Sequence, residues 1–174
     1  NLPGDLIYSA AYSAQSGGRM NFKPEGYHSL TPYLTMRDAA KAIEFYKKVF
    51  DAKEHMRMPA PGGKIGHAEL QIGDSVIMLA DECSEGKSPH ALGGTPVGLM
   101  FYLPDVDATF KLALAEGATV QRPVQDQFYG DRSGSIVDPF GHIWHLATHV
   151  EDVSPEEMEK RQAKAAKQVA AATK

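Results

Sequence analysis

Alternation of apolar and polar positions is clearest between Lys64 and Ala80. Ala68, Leu70 and Ile72 fall on one side of an extended chain, and His67, Glu69 and Gln71 fall on the other, because successive side chains of a strand point to opposite faces. Gly73-Asp74 interrupts the run and Asp74 to Ala80 resumes it, which predicts a strand pair. The apolar set should meet a helix, leaving His67 and Glu69 on the opposite side of the sheet. Upstream, HSLTPYLTM over 28–36 predicts a strand with Thr31, Tyr33 and Thr35 on one face and Leu34 and Met36 on the other. Pro32 lacks a ladder donor, so that strand belongs at a start or an edge. From Asp38 to Phe50 the period lengthens to that of a helix, with Ala39, Ile43, Tyr46 and Phe50 recurring. A short strand over His55 to Met58 and a turn over 59–63 fill the gap.

The same order of elements then begins again. Val97 to Leu103 reads as a strand, and Asp105 as the N-cap of a helix to about Glu116 with Val106, Phe110, Ala113 and Leu114 inward. Gly117 stands where a C-cap glycine belongs. Thr119 to Phe128 reads as extended. Gly134 to Val137, the turn Asp138-Pro139-Phe140-Gly141 and His142 to His149 form a hairpin. On its second strand Ile143, His145, Ala147 and His149 share one face, whereas His142, Trp144, Leu146 and Thr148 share the other. Strand rise therefore separates His145 from His142 by face and from His149 by over about 12 Å. Two passes of strand, helix and three strands are an internal repeat. The predicted class is α+β: two βαβββ repeats forming curved mixed sheets around a shared concave pocket, plus a C-terminal helix. The units span 28–82 and 97–152, with a linker over 83–96 and the helix over 153–174. In that helix Ser154 and Glu157 match a capping box and Pro155 suits the first turn.

Residues 1–27 lack sustained periodicity. Met20, directly after Ser16-Gly17-Gly18, leaves open whether 1–19 is a foreign leader before a native start or part of a native N-terminal extension. A chain of 174 residues with 43% hydrophobic and 23% charged residues is large enough for a substantial core. Its net charge of -4 carries no basic footprint, which argues against a nucleic-acid partner. One cysteine, Cys83, excludes an intramolecular disulfide and a thiolate-rich zinc site and fits a reducing compartment. No apolar run reaches the roughly 18 to 20 residues of a bilayer span. These points lead to the expectation of a cytoplasmic protein with no membrane partner.

The repeat, the pattern TPYLTMRDAAKAIEFYKKVF and the long motif GDRSGSIVDPFGHIWHLATHVEDVSPEEM resemble the vicinal oxygen chelate superfamily, which includes glyoxalase I and the bleomycin and fosfomycin resistance proteins. Within it the chain is most similar to the PhnB-like branch, over about 27–158. The resemblance implies a divalent metal held by the first and last strands of each unit and chelated by adjacent oxygens of a substrate. Placing Met78 against His145, and Thr31 against Leu99, gives the four matching positions as Thr31, Met78, Leu99 and His145. Only His145 is a good ligand; Thr31 is a poor neutral donor, and Met78 and Leu99 offer no hard oxygen or imidazole. No cofactor is therefore expected. A displaced set of His67, Glu69 and His145 keeps a divalent metal as the alternative.

Three functional readings follow. The first is a metal-free small-molecule binding protein of the bleomycin-resistance type, its pocket lined by Thr31, Tyr33, His67, Glu69, Met78, Leu99, Phe101, Tyr129, Arg132 and His145. The second is a metal-dependent lyase, isomerase or dioxygenase acting on vicinal oxygens. The third is an interaction module using the C-terminal helix. His145 is the best candidate for acid–base work. Asp131 and Arg132 read as an ion pair, extended to Asp138, or Arg132 as a bidentate anion binder at the pocket mouth. A homodimer is expected, because concavities in this superfamily commonly form with help from a second chain.

Overall fold

The computed structural model describes residues 22–172, with side chains to residue 166, so the origin of residues 1–19 lies outside the described residues. The first unit comprises β1 (Tyr33–Met36), α1 (Ala39–Phe50), β2 (Lys53–Ala60), β3 (Lys64–Ile72) and β4 (Ser75–Asp81). A one-turn helix, α2 (Pro89–Leu92), interrupts the stretch expected to be linker. The second unit comprises β5 (Gly98–Tyr102), α3 (Val106–Ala115), β6 (Thr119–Asp126), β7 (Asp131–Val137) and β8 (Ile143–His149), and α4 (Pro155–Ala172) follows. The fold is thus α+β, built from two βαβββ repeats and a C-terminal helix.

The two sheets have matching orders, β1-β4-β3-β2 and β5-β8-β7-β6. Each is mixed, with the first strand parallel to the last and the other pairs antiparallel. Local chemistry sets the elements. The Asp38 carboxylate accepts from the Lys41 N–H at 3.1 Å to start α1, and Asp105 accepts from the Ala108 N–H at 2.9 Å to start α3. Past the end of α3 the chain turns at Gly117 with φ 96°, a left-handed conformation that glycine adopts without a steric penalty. Ser154 accepts from the Glu157 N–H at 3.3 Å at the start of α4.

Alternation decides what is buried. Leu34, Met36, Ala68, Leu70, Ile72, Ile77 and Leu79 of the first sheet, Ile136, Trp144 and Leu146 of the second, and Val106, Phe110 and Ala113 of α3 share one buried core with the inner face of α1. Aromatic rings join the units. The Phe50 ring at the end of α1 lies 4.7 Å from Trp144 and 5.5 Å from Phe101, and Tyr46 lies 5.4 Å from Trp144. Apolar rings in edge and tilted arrangements of this kind add to plain area burial.

One carboxylate stands inside this seam. Asp138, from the hairpin turn, is buried. Its Oδ2 accepts from the Tyr46 hydroxyl at 2.6 Å and from the Trp144 indole at 3.0 Å. Its Oδ1 accepts from the Phe140 and His142 N–H groups, each at 2.9 Å. A buried carboxylate is tolerated when its oxygens are satisfied in this way. Burial, reinforced by the Asp138 charge, pushes the Tyr46 hydroxyl well above the usual phenol range, so it remains a donor.

Candidate functional site

Each sheet has one face packed on its helix and one face turned away, and the strand registers identify the residues of the second kind. In the first sheet Tyr33 and Glu69 both stand beside Met78. In the second, Met100 and Ser135 both stand beside His145. This corrects the matching of first strands made from sequence. Thr31 precedes β1, where its hydroxyl donates to the His28 carbonyl at 3.2 Å. Leu99 pairs with Trp144 and, like Phe101, packs against the core on the face opposite His145. The positions equivalent by register are Tyr33 and Met100. The run Gly-Leu-Met-Phe-Tyr is apolar on both sides, so alternation carries no information about which side is inward.

The first face bears a continuous polar network. The Tyr33 hydroxyl and His67 Nδ1 are 2.9 Å apart, and His67 Nε2 lies 3.2 Å from Glu69 Oε1. The Tyr27 hydroxyl donates to the other oxygen of Glu69. Glu69 is 8% exposed and Tyr33 49%, so the network runs from a buried carboxylate to an accessible phenol.

The second face is more closed. His145 is half-buried and its Nδ1 lies 2.7 Å from the Ser135 hydroxyl. Its ring lies over Gly98, where an added Cβ would come within 2.3 Å of Nε2. That approach explains the glycine at the start of the edge strand β5. Ser133, two residues before Ser135 on the same strand face, is fully buried and its hydroxyl has no hydrogen-bond partner. At the far end of the sheet the buried Asp131 accepts from the Tyr102 hydroxyl at 2.9 Å and bonds His149 Nδ1 at 2.8 Å. Hydrogen bonds to Asp131 and then to Asp152 raise the His149 imidazole above its ordinary value. Tyr129 packs its ring edge-on to Phe128.

His142 stands apart from His145: its Nε2 lies 3.1 Å from the Thr35 carbonyl, tying β1 to the hairpin. Asp131 and Arg132 belong to β7 rather than preceding it. Arg132 holds Asp107 through two bonds of 2.6 and 2.8 Å and Asp126 through one of 2.9 Å. Its guanidinium is thus engaged by carboxylates other than Asp138, and it fastens β6 and β7 to α3. The bidentate geometry expected for an anion is used on Asp107.

Tyr33 and Thr35 line two adjoining cavities. One, of about 240 Å³, runs from β1 past Lys87, Pro96, Val97 and Leu99. The other, of about 350 Å³, is lined on its polar side by Lys64, Asp81, Glu82 and Glu85. The four register-matched positions, Tyr33, Met78, Met100 and His145, do not make a donor set for a hard divalent ion. His67 and Glu69 meet on the first sheet while His145 bonds Ser135 on the second, and among the described residues no group of three His, Cys, Asp or Glu side chains could hold a metal ion. The residues present in one chain therefore do not fit the metal implied by the resemblance. No described helix is long and apolar enough to cross a membrane.

Comparison with known proteins bears on this geometry. A family model, the Glyoxalase/Bleomycin resistance protein/Dioxygenase superfamily, matches residues 27–146. An uncharacterised protein of Mycobacterium bovis is 47% identical over 136 residues, covering 75% of this chain and 90% of the relative. Among solved structures, TioX from Micromonospora sp. ML1 has a TM-score of 0.56 and 27% identity, covering 70% of this chain and 98% of its own. The fosfomycin resistance protein FosX from Listeria monocytogenes, complexed with Mn(II) and sulfate, has a TM-score of 0.56 and 21% identity, covering 78% and 97%. A PhnB protein from Bacillus cereus shares the fold at a TM-score of 0.56 and 18% identity, covering 70% and 99%.

Proposed function

Because the chain belongs to the glyoxalase/bleomycin resistance protein/dioxygenase superfamily, we propose that it is a small-molecule binding protein that works without a metal, its ligand seated against the helix-free sheet faces. The observation that carries this is the donor chemistry at the register-matched positions. Tyr33, Met78 and Met100 replace hard ligands, and His145 alone is suited to a divalent ion. What remains suits an organic ligand: thioether and aromatic surface with a few placed polar groups. The protein is read as a cytoplasmic homodimer. Met56 and Val120 are 39% and 51% exposed on the open edge strands β2 and β6, a surface that a second copy would cover.

The competing reading, a metal-dependent lyase, isomerase or dioxygenase, draws on His67, Glu69 and His145 and on the manganese-bound FosX relative. Metal analysis of untagged protein, followed by calorimetric titration with nickel, zinc, manganese and iron, separates the two. No stoichiometric binding is expected. One metal per chain, lost on His145→Ala, overturns the proposal in favour of the metalloenzyme. Light scattering should return twice the chain mass; a monomer at working concentration sinks the dimer.

A further inference from the structure

The polar network on the first sheet has an order that a ligand-binding face does not require. Glu69 is buried and held from one side by Tyr27. With Glu69 as a carboxylate, its Oε1 can only accept, so at 3.2 Å it fixes the hydrogen of a neutral His67 on Nε2. That leaves Nδ1 as an acceptor, 2.9 Å from the hydroxyl of Tyr33. The Tyr33 phenol must then donate to His67. Carboxylate, imidazole and hydroxyl stand in the sequence by which a buried acid orients a base and the base activates a hydroxyl. Tyr33 is the exposed end of the chain, and it lines both cavities at β1.

We infer that Tyr33, His67 and Glu69 form a proton relay that makes the Tyr33 phenol a general acid–base group toward a small molecule bound at β1. The inference deepens the binding reading by adding chemistry to the same face. In the forward step a substrate X–H bond breaks and an O–H bond forms at Tyr33 Oη. Tyr33's own proton passes to His67 Nδ1, and the imidazolium is balanced by the Glu69 carboxylate. The reverse step returns the proton, so no oxidant or metal is called on. Tyr33 is the catalytic residue; His67 and Glu69 act through it. The larger of the two cavities is edged by Asp81, Glu82 and Glu85 against Lys64 alone. The substrate class that fits is a neutral or cationic small molecule rather than a phosphate ester or dicarboxylate.

The relay exists in the free protein, so its test needs no substrate. An aryl sulfonyl fluoride labels a phenol by forming an S–O bond and breaking S–F, fluoride leaving and the phenol proton passing to a neighbouring base. Mapped by mass spectrometry at neutral pH, Tyr33 should label at least 10-fold faster than Tyr102, which is as exposed but donates to Asp131 with no imidazole on its hydroxyl. His67→Gln should remove that advantage, Glu69→Gln should reduce it several-fold, and Tyr102 labelling in both variants should stay unchanged, reporting an intact fold. Equal labelling of Tyr33 and Tyr102 in the wild type, or an advantage that survives His67→Gln, overturns the relay. Either result leaves the metal titration untouched, so failure of the relay and failure of the binding reading are separate outcomes.

Discussion

Beside Met78 in β4 the first sheet carries Glu69; beside His145 in β8, at the matching place, the second carries Ser135. Two residues earlier on the same strands stand His67 and Ser133, and on the first strands Tyr33 and Met100. The backbone orders coincide strand for strand, yet one face holds an ionisable chain leading to an exposed phenol and the other holds small hydroxyls sealed beneath a histidine. Strand pairing is made by main-chain groups, and helix packing uses only the opposite side of each strand. The helix-free side chains of a duplicated unit are thereby released from the demands of folding, and each copy can take on its own chemistry.

The seam between the copies is the place where they still depend on each other, and breaking it should have the largest effect. Asp138→Ala strands the Tyr46 hydroxyl and the Trp144 indole inside the aromatic core, and a loss of about 3 to 5 kcal/mol is expected in urea unfolding. An effect below about 1 kcal/mol would mean that the units fold independently. A smaller effect separates the two faces. Gly98 and Thr31 each stand two residues before the matched pair Met100 and Tyr33, but only Gly98 lies beneath an imidazole. Gly98→Ala should cost about 1 to 3 kcal/mol and turn His145 off Ser135, visible as a shifted imidazole resonance by NMR. Thr31→Ala, at a residue outside the strand, should stay within about 0.5 kcal/mol.

The smallest expected effect lies just past the core of the last strands. His149 in the second unit and Glu82 in the first are counterparts by the same register, and they titrate with opposite sign. His149 is raised from 6.5 by its bonds to Asp131 and Asp152, so its contribution is complete below 6.5 and fades as pH rises through the folded value. Glu82 is lowered from 4.5 by the Ser88 backbone and hydroxyl, so its contribution is present above 4.5 and fades as pH falls. In thermal melts, the deficit of His149→Gln against wild type should shrink above neutrality, whereas that of Glu82→Gln should shrink in acid. Both groups are solvent-facing, so the differences should be slight. Deficits moving in the same direction would contradict the pairing.

Much of this was legible from the chain. Strands such as Ala68-Glu69-Leu70-Gln71-Ile72 alternate sharply and assigned their own faces; Asp38 and Asp105 announced their helices, and the repeat of elements gave the fold. The candidate site was less legible wherever one strand's pattern had to be phased against another's. β5 is apolar on both sides, so its alternation could not tell that Leu99 and Phe101 stand on the core side of the sheet, opposite His145. Asp138 read as turn chemistry because its partner Tyr46 is distant in sequence. His67 and Glu69 were visible as a face, but their link to Tyr33 depends on a lateral neighbour two strands away.

The Tyr46 to Asp138 bond spans 92 residues, and that separation bears on how the chain is made. During synthesis at about 5 to 20 residues per second, Tyr46 leaves the ribosome roughly 5 to 20 seconds before Asp138 does, and the last strand of the first sheet roughly 3 to 11 seconds before it. For that interval the Tyr46 hydroxyl has no native acceptor, and Phe50 has no Trp144 against it. The first unit therefore waits, partly wet and with an aromatic surface open, until the hairpin of the second arrives to complete it.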